Sequence, residues 1–289
     1  MTSFSVHFDG DITHDHKLPV RVLGKTYTCM QSAIDRSHLI NTYGNVWKYA
    51  KLKGFQYPET EFIANYPREG GIWLDALKHG ANLVIDRINS TIAPLYERAQ
   101  QQGADDADSF LNQIADRKRY VDGMQLRVPD YSEWQLDQRG EWARAYSDRS
   151  VAKEIDQLVS QVSAKHLHNS TVQIQLHGSS AYPIYEFDSR KSKRFHRIVA
   201  SREVGPALRL RIRVTVLDRG FNSRRPSAKA VNINNDKEFA LYIVREGGAD
   251  DVHRIHDNGE YEIYAAPVME ANGFDVNRGD YVFLGIVNG

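Results

Sequence analysis

Apolar and polar residues alternate along "ALRLRIRVTVL", residues 207–217. Leu208, Leu210, Ile212, Val214 and Val216 are interleaved with Arg209, Arg211, Arg213 and Thr215. A period of two predicts a strand with one buried face and one wet face. Similar short, β-rich runs fill the chain after about Asn169: "TVQIQLHG", "AYPIYEF", "FHRIVA", "SAKAVNI", "EFALYIV", "EYEIYAAPVM" and "DYVFLGIV". Gly, Asn, Asp or Pro separates them, which predicts a small barrel or sandwich, placed at 205–289.

The first part of the chain mixes periods. "FSVHF" (4–8) and "LPVRVLG" (18–24) predict two strands around the polar turn "DGDITHDHK". Met30, Ala33, Ile34 and Ile40 fall on one helical face, closed by Gly44. "FQYPETEFIAN" and "GIWLDAL" predict a further strand pair around 67–71, with Pro58 marking an edge or bulge. The clearest helix carries Ala81, Val84, Ile85, Ile88, Ile92, Leu95 and Ala99, with Pro94 as a kink. Phe110, Ile114, Arg117 and Val121 predict a short third helix. Val151, Ile155, Leu158, Val159 and Val162 predict a fourth. The fold class expected is α+β: an N-terminal strand-helix-strand unit with a helical insert (1–128), an aromatic linker with helix and connecting strands (129–204), and a small C-terminal antiparallel β-barrel (205–289).

Composition changes little. The 289 residues are 41% hydrophobic and 26% charged, the balance of a globular protein of more than one average domain. The single cysteine, Cys29, cannot form an internal disulfide and fits a reducing compartment. No secretory signal opens the chain, and the longest apolar run, "YVFLGIV", is too short to span a bilayer. A cytoplasmic protein without membrane contact is expected, and no cofactor.

Charge changes more. The 37 basic and 37 acidic residues cancel overall. Residues 189–229, however, hold thirteen basic side chains against Glu203 and Asp218, a net of +11, and 232–289 carry −7. The belt includes Arg190, Lys191, Lys193, Arg194, Arg197, Arg209, Arg211, Arg213, Arg224 and Arg225. These are candidate anion or nucleic-acid contacts, with Tyr185, Phe195 and Phe221 near enough in sequence to stack on bases. The competing structural reading is that Glu260 and Glu262, also two apart, form a cross-strand partner row for the arginines.

Other constellations carry less chemistry. Asp9, Asp11, His14, Asp15 and His16 are metal-ligand types, but Asp-Gly is itself a hairpin signal. His166, His168 and His177 form a second loose group. "LHGSSAYPIYEFD" offers Gly178, Ser179, Glu186 and Asp188 in a nucleotidyltransferase-like order, yet the gap suits a hairpin better. No phosphate loop, HExxH, GxSxG or CxxC occurs. Tyr131, Trp134, Trp142 and Tyr146 fall near helical spacing and are candidate partner contacts, because Trp and Tyr dominate interface hot spots.

The opening "FSVHFDGDITHDHKLPVRVLGKTYTCMQSAID" resembles the start of an uncharacterised bacterial family. In it a strand, a Gly-Asp turn with a following His, a second strand ending in Leu-Gly, and a helix come in this order. The resemblance covers about the first 40 residues and carries no catalytic residue. It implies a small C-terminal β-barrel and a setting among prophage and defence genes. The sequence thus favours a non-enzymatic sensor or adaptor acting through protein contacts in anti-phage defence. A nucleic-acid-binding protein using the 189–229 belt is the alternative, and an enzyme with an unread site the third.

Overall fold

The computed structural model describes residues 2–15, 17–65, 72–101, 109–123, 127–164, 167, 169–179, 182–218, 226–244 and 255–287, with the backbone alone for 135–139. In chain order the elements are β1 (Thr2–Asp9), α1 (Val20–Tyr43), α2 (Tyr57–Thr60), β2 (Ile63–Ala64), β3 (Ile72–Lys78), α3 (Asn82–Gln100), α4 (Phe110–Asp122), α5 (Tyr131–Val159), β4 (Thr171–His177), β5 (Ile184–Asp188), α6 (Ser189–Val199), β6 (Arg202–Val204), β7 (Leu208–Asp218), β8 (Ser227–Asn232), β9 (Lys237–Tyr242), β10 (Glu260–Glu270) and β11 (Tyr281–Ile286). The fold is α+β with a C-terminal barrel. No described helix is long and apolar enough to cross a membrane.

The chain divides into two discontinuous units. The first combines Met1–Ala104 with Ser147–Ser201; the second combines Asp105–Tyr146 with Arg202–Gly289. Cuts at 128 and 204 alone therefore do not separate them. The supposed linker is the first half of the 29-residue α5, and the helix expected from Ser150 is its second half.

In the first unit a five-stranded sheet runs in the order β2-β3-β1-β4-β5, every pair antiparallel. Its register aligns Leu74, Val6, Ile174 and Tyr185 across four strands. The apolar rows so formed join the core that α1, α3, α6 and the second half of α5 complete. Three sequence expectations fail here. Residues 18–24 are no strand: Val20 opens α1 directly after Pro19, and the stripe Thr26, Cys29, Met30, Ala33, Ile34 and Ser37 buries one helical face. Residues 55–60 form a helical turn and α2, leaving only a two-residue strand after Pro58. "FHRIVA" lies in α6, where Ser192, Phe195 and Val199 are the buried residues.

Cys29 is fully buried, and burial pushes its thiol above the ordinary range, as suits a packing residue. Glu154 is half-buried on α5. Desolvation raises its carboxyl pKa, against the opposing pull of Arg36, Lys153 and Lys25. Its folded pKa lies above its unfolded one, so the folded state holds the proton longer. Its contribution is therefore fully present below the unfolded value and lost as pH rises through the folded one. Glu154→Gln should remove this loss. The melting temperature of the variant should gain on that of the parent from pH 4 upward; a constant difference would contradict it.

In the second unit β11-β9-β8-β7-β10 close into a five-stranded barrel through the β10–β11 pairing, and β6 extends along β10. All pairs are antiparallel except β9–β11. Leu208, Leu210, Ile212 and Val214 of β7 enter the interior with Ala230, Leu241, Ile263 and Phe283. Tyr131 and Trp134 belong to the same core, with Trp142 packed against it. A smaller cluster seats α4 by Ile114 and Val121 against Val204, Val268 and Leu284.

Candidate anion-binding site

The basic belt divides between the two units. In the second unit, the register of β7 on β10 places Arg213 opposite Glu260, Arg211 opposite Glu262 and Arg209 opposite Tyr264. The acidic row is where the two-residue spacing puts it. Arg209 is held most firmly: its Nε donates to Asp130 Oδ1 at 2.8 Å, its Nη2 lies 2.6 Å from the same oxygen, and Glu262 is at 3.9 Å. The hydrogen bond to Asp130 raises its pKa further. Arg211 and Arg213 are exposed but face carboxylates across the ladder. The arginine ladder is thus a wet face opposite an acidic row, with Arg209 in ion pairs and Arg211 and Arg213 beside carboxylates in register only. Arg224 and Arg225 lie outside the described residues, as do Phe221, His16, His166 and His168.

In the first unit the belt takes a different form. β5 runs straight into α6, and the Asp188 side chain caps the helix by accepting from the Lys191 N–H at 2.7 Å. Phe195 is fully buried and meets Phe187 edge-on at 5.3 Å. Ser192 Oγ donates to the Val159 carbonyl at 2.9 Å. These inward contacts turn the cationic side chains outward: Arg190, Lys193 and Arg197 are exposed, Lys191 and Arg194 half-buried. Lys191 sits 5.7 Å from the centre of the Tyr96 ring and donates to the Glu186 carbonyl. Among the described residues, Arg190, Lys193, Arg194 and Arg197 have no carboxylate within 4 Å.

Beside this face opens a cavity of about 620 Å³ lined by Ser160, Ser163, Ser192, Lys193, His196 and Arg197. Asp156 is nearly buried behind it and holds His196 Nδ1 at 2.8 Å. A carboxylate only accepts, so Nδ1 carries the proton and Nε2 is the outward nitrogen. Ser160 Oγ donates to the other oxygen of Asp156, Ser163 Oγ to the Ser160 carbonyl and Ser192 Oγ to Val159. The hydroxyl protons are thus committed inward, and the pull on an anion comes from Lys193 and Arg197. Ser, His and Asp are all present, but Ser160 bonds the aspartate, and no described serine bonds His196. The arrangement shows a cationic recess and no activated nucleophile.

The remaining candidates are accounted for locally. Tyr131 and Trp134 are core residues of the second unit, Trp142 and Tyr146 half-buried, so the first two are corrected from partner surface to packing. Their helical spacing cannot say which way a face points. Gly178 and Ser179 follow β4 in its connection to β5, its antiparallel partner, and Ser179 Oγ donates to Asp86. Asp188 is a helix cap. No group of three metal-ligating side chains occurs among the described residues. The sequence held the signal for the recess: Ser192, Phe195 and Val199 at helical spacing within the basic run. Asp156 and Ser160, more than thirty residues away, were not visible as its partners. Scanned against family models, curated proteins and solved structures, the chain finds no match.

Proposed function

We propose that this protein binds nucleic acid by its phosphate backbone, through the outward face of α6. The observation that carries the reading is the set Arg190, Lys193, Arg194 and Arg197, four cations on one short helix without a carboxylate partner among the described residues. A chain with zero net charge has no general attraction for polyanions, so a local concentration of unopposed charge is what such binding needs. The recess at Lys193, His196 and Arg197 supports it by offering a place for one phosphate. The alternative, an adaptor acting through protein contacts in anti-phage defence, drew on the aromatic run 131–146. Tyr131 and Trp134 lie inside a core, which leaves that reading Trp142, Tyr146 and the charge split of the barrel.

The test is binding to a labelled oligonucleotide across a salt series. Replacing Arg190, Lys193, Arg194 and Arg197 by alanine should weaken affinity at least about tenfold. It should also flatten the salt dependence by about 0.7–0.9 log units for each phosphate no longer neutralised. Arg211→Ala with Arg213→Ala should leave both quantities unchanged, because these side chains face Glu262 and Glu260. Equal affinity and slope for the α6 variant would overturn the proposal.

A further inference from the structure

The segment 47–57 of the first unit reverses the usual sense of burial. Its small or polar residues go inward and its large aromatic ones outward. Val46, Ala50, Gln56 and Thr60 are buried, with Leu52 partly so. Trp47, Tyr49, Phe55 and Tyr57 are exposed, by 39%, 60%, 72% and 59%. The backbone between the pegs is held. The Val46 N–H donates to Ser147 Oγ at 2.7 Å, the Ala50 N–H to the Trp47 carbonyl at 3.1 Å, and the Lys53 N–H to Gln56 Oε1 at 2.9 Å. Arg36 also reaches the Trp47 carbonyl, at 3.4 Å. The rings are therefore presented on a fixed backbone. Between them stand the exposed lysines Lys51 and Lys53.

Exposed rings on a held backbone forgo the stabilisation of burial until a partner covers them. The charge decides what. A second copy would bring two sets of lysines together, and interface cores are depleted in lysine. An amphipathic membrane-surface helix would need a continuous helical face, whereas this stretch holds only a three-residue turn, Gly54–Gln56, and the four-residue α2. Single-stranded nucleic acid needs both parts. Its unpaired bases offer flat π-faces to Trp, Tyr and Phe, and its phosphates meet the interleaved cations. A duplex keeps its bases stacked internally and has no use for the rings.

We infer that residues 47–57 form a stacking platform for single-stranded nucleic acid. The inference rests on the backbone-binding reading of α6 for the class of polymer, and on its own aromatic–lysine pattern for the single strand. Binding of the full chain to labelled dT15, and to the dT15·dA15 duplex, tests it. Trp47→Ala with Phe55→Ala and Tyr57→Ala should weaken dT15 binding at least tenfold, change duplex binding less than twofold, and leave the salt slope as it was. Lys51→Ala with Lys53→Ala should lower the slope for dT15 by about 1.4. Trp47→Phe should bind like the parent but lose part of the tryptophan quenching that dT15 causes. Circular dichroism should be unchanged in all, since the altered side chains are exposed.

Unchanged dT15 affinity in the aromatic variant overturns the platform. So does a parent that captures phosphatidylcholine vesicles or self-associates through these rings while its dT15 affinity ignores them. The α6 variant separates the two proposals. Loss there alone leaves the helix reading and removes the platform, and loss in the aromatic variant alone does the reverse. A parent that binds neither probe removes both.

Discussion

Trp134→Ala should destabilise the second unit by about 3–5 kcal/mol, the range for emptying a large aromatic site in a packed core. Trp134 is 3% exposed. Its ring centre lies 6.0 Å from Tyr131, 5.1 Å from Trp142 and 5.5 Å from Phe274, edge-on to the last. Phe274 in turn meets Tyr281, and Tyr281 meets Phe239 of the barrel. Removing the indole leaves a void among rings that α5, β9 and β11 hold in place. Those backbones cannot close over it without breaking strand pairs. Trp134→Phe should behave differently. It keeps a ring in the site and removes a buried indole N–H that has no acceptor among the described residues, so its loss should stay below about 1.5 kcal/mol. Urea unfolding followed by near-ultraviolet circular dichroism measures both. A parent-like midpoint for Trp134→Ala would return this residue to the partner surface.

Gly10→Ala should be nearly as damaging, by a different route. Gly10 follows β1 with φ of +82°, where a Cβ is strained. That Cβ would also stand 2.0 Å from the Asn169 carbonyl oxygen, a backbone atom that cannot rotate away. The strand end that closes on Asn169 carries the pairing of Asp9 with Thr171, so the shift reaches the sheet. A loss of at least about 3 kcal/mol is expected. Gly44 is the control. It has a similar φ of +77° but open space around the added carbon, so Gly44→Ala should cost only about 1 kcal/mol. Equal thermal shifts for the two would mean that the close approach at Asn169 does not matter.

The sequence made the barrel readable because β7 and β8 bury alternate residues and keep the period of two, while β10 and β11 are short β-rich runs between turn residues. β7 is the clearest, and even its acidic partner row followed from the spacing of Glu260 and Glu262. Periodicity also located α3 and α4. It failed where a segment is locally ambiguous. Val20 and Val22 favour strands, but they stand at the first turn of a helix whose stripe begins later. "FHRIVA" is short and β-rich when read alone, and its helical stripe shows only when Ser192 is included. The units escaped detection because they are discontinuous, and nothing in the composition marks residue 146 inside an unbroken helix. The candidate site was half legible: its cations and the acidic row opposite the ladder were, but the freedom of α6 from carboxylates depends on what packs beside it from far along the chain. The exposed rings of 47–57 gave no signal, because an aromatic residue does not announce which side of a backbone it will take.

The central place of β1 has a consequence for synthesis. Among the described strands it is made first, and one of its two edges is filled by β3, seventy residues on. The other edge is filled by β4, which begins at Thr171. Between those moments the growing chain must complete α3, α4 and all of α5, and the whole first piece of the second unit, while one edge of its middle strand stands bare. A bare edge invites pairing with another chain. A fragment ending at residue 128 would keep that edge permanently, so the early product of the gene is the form most in need of a chaperone.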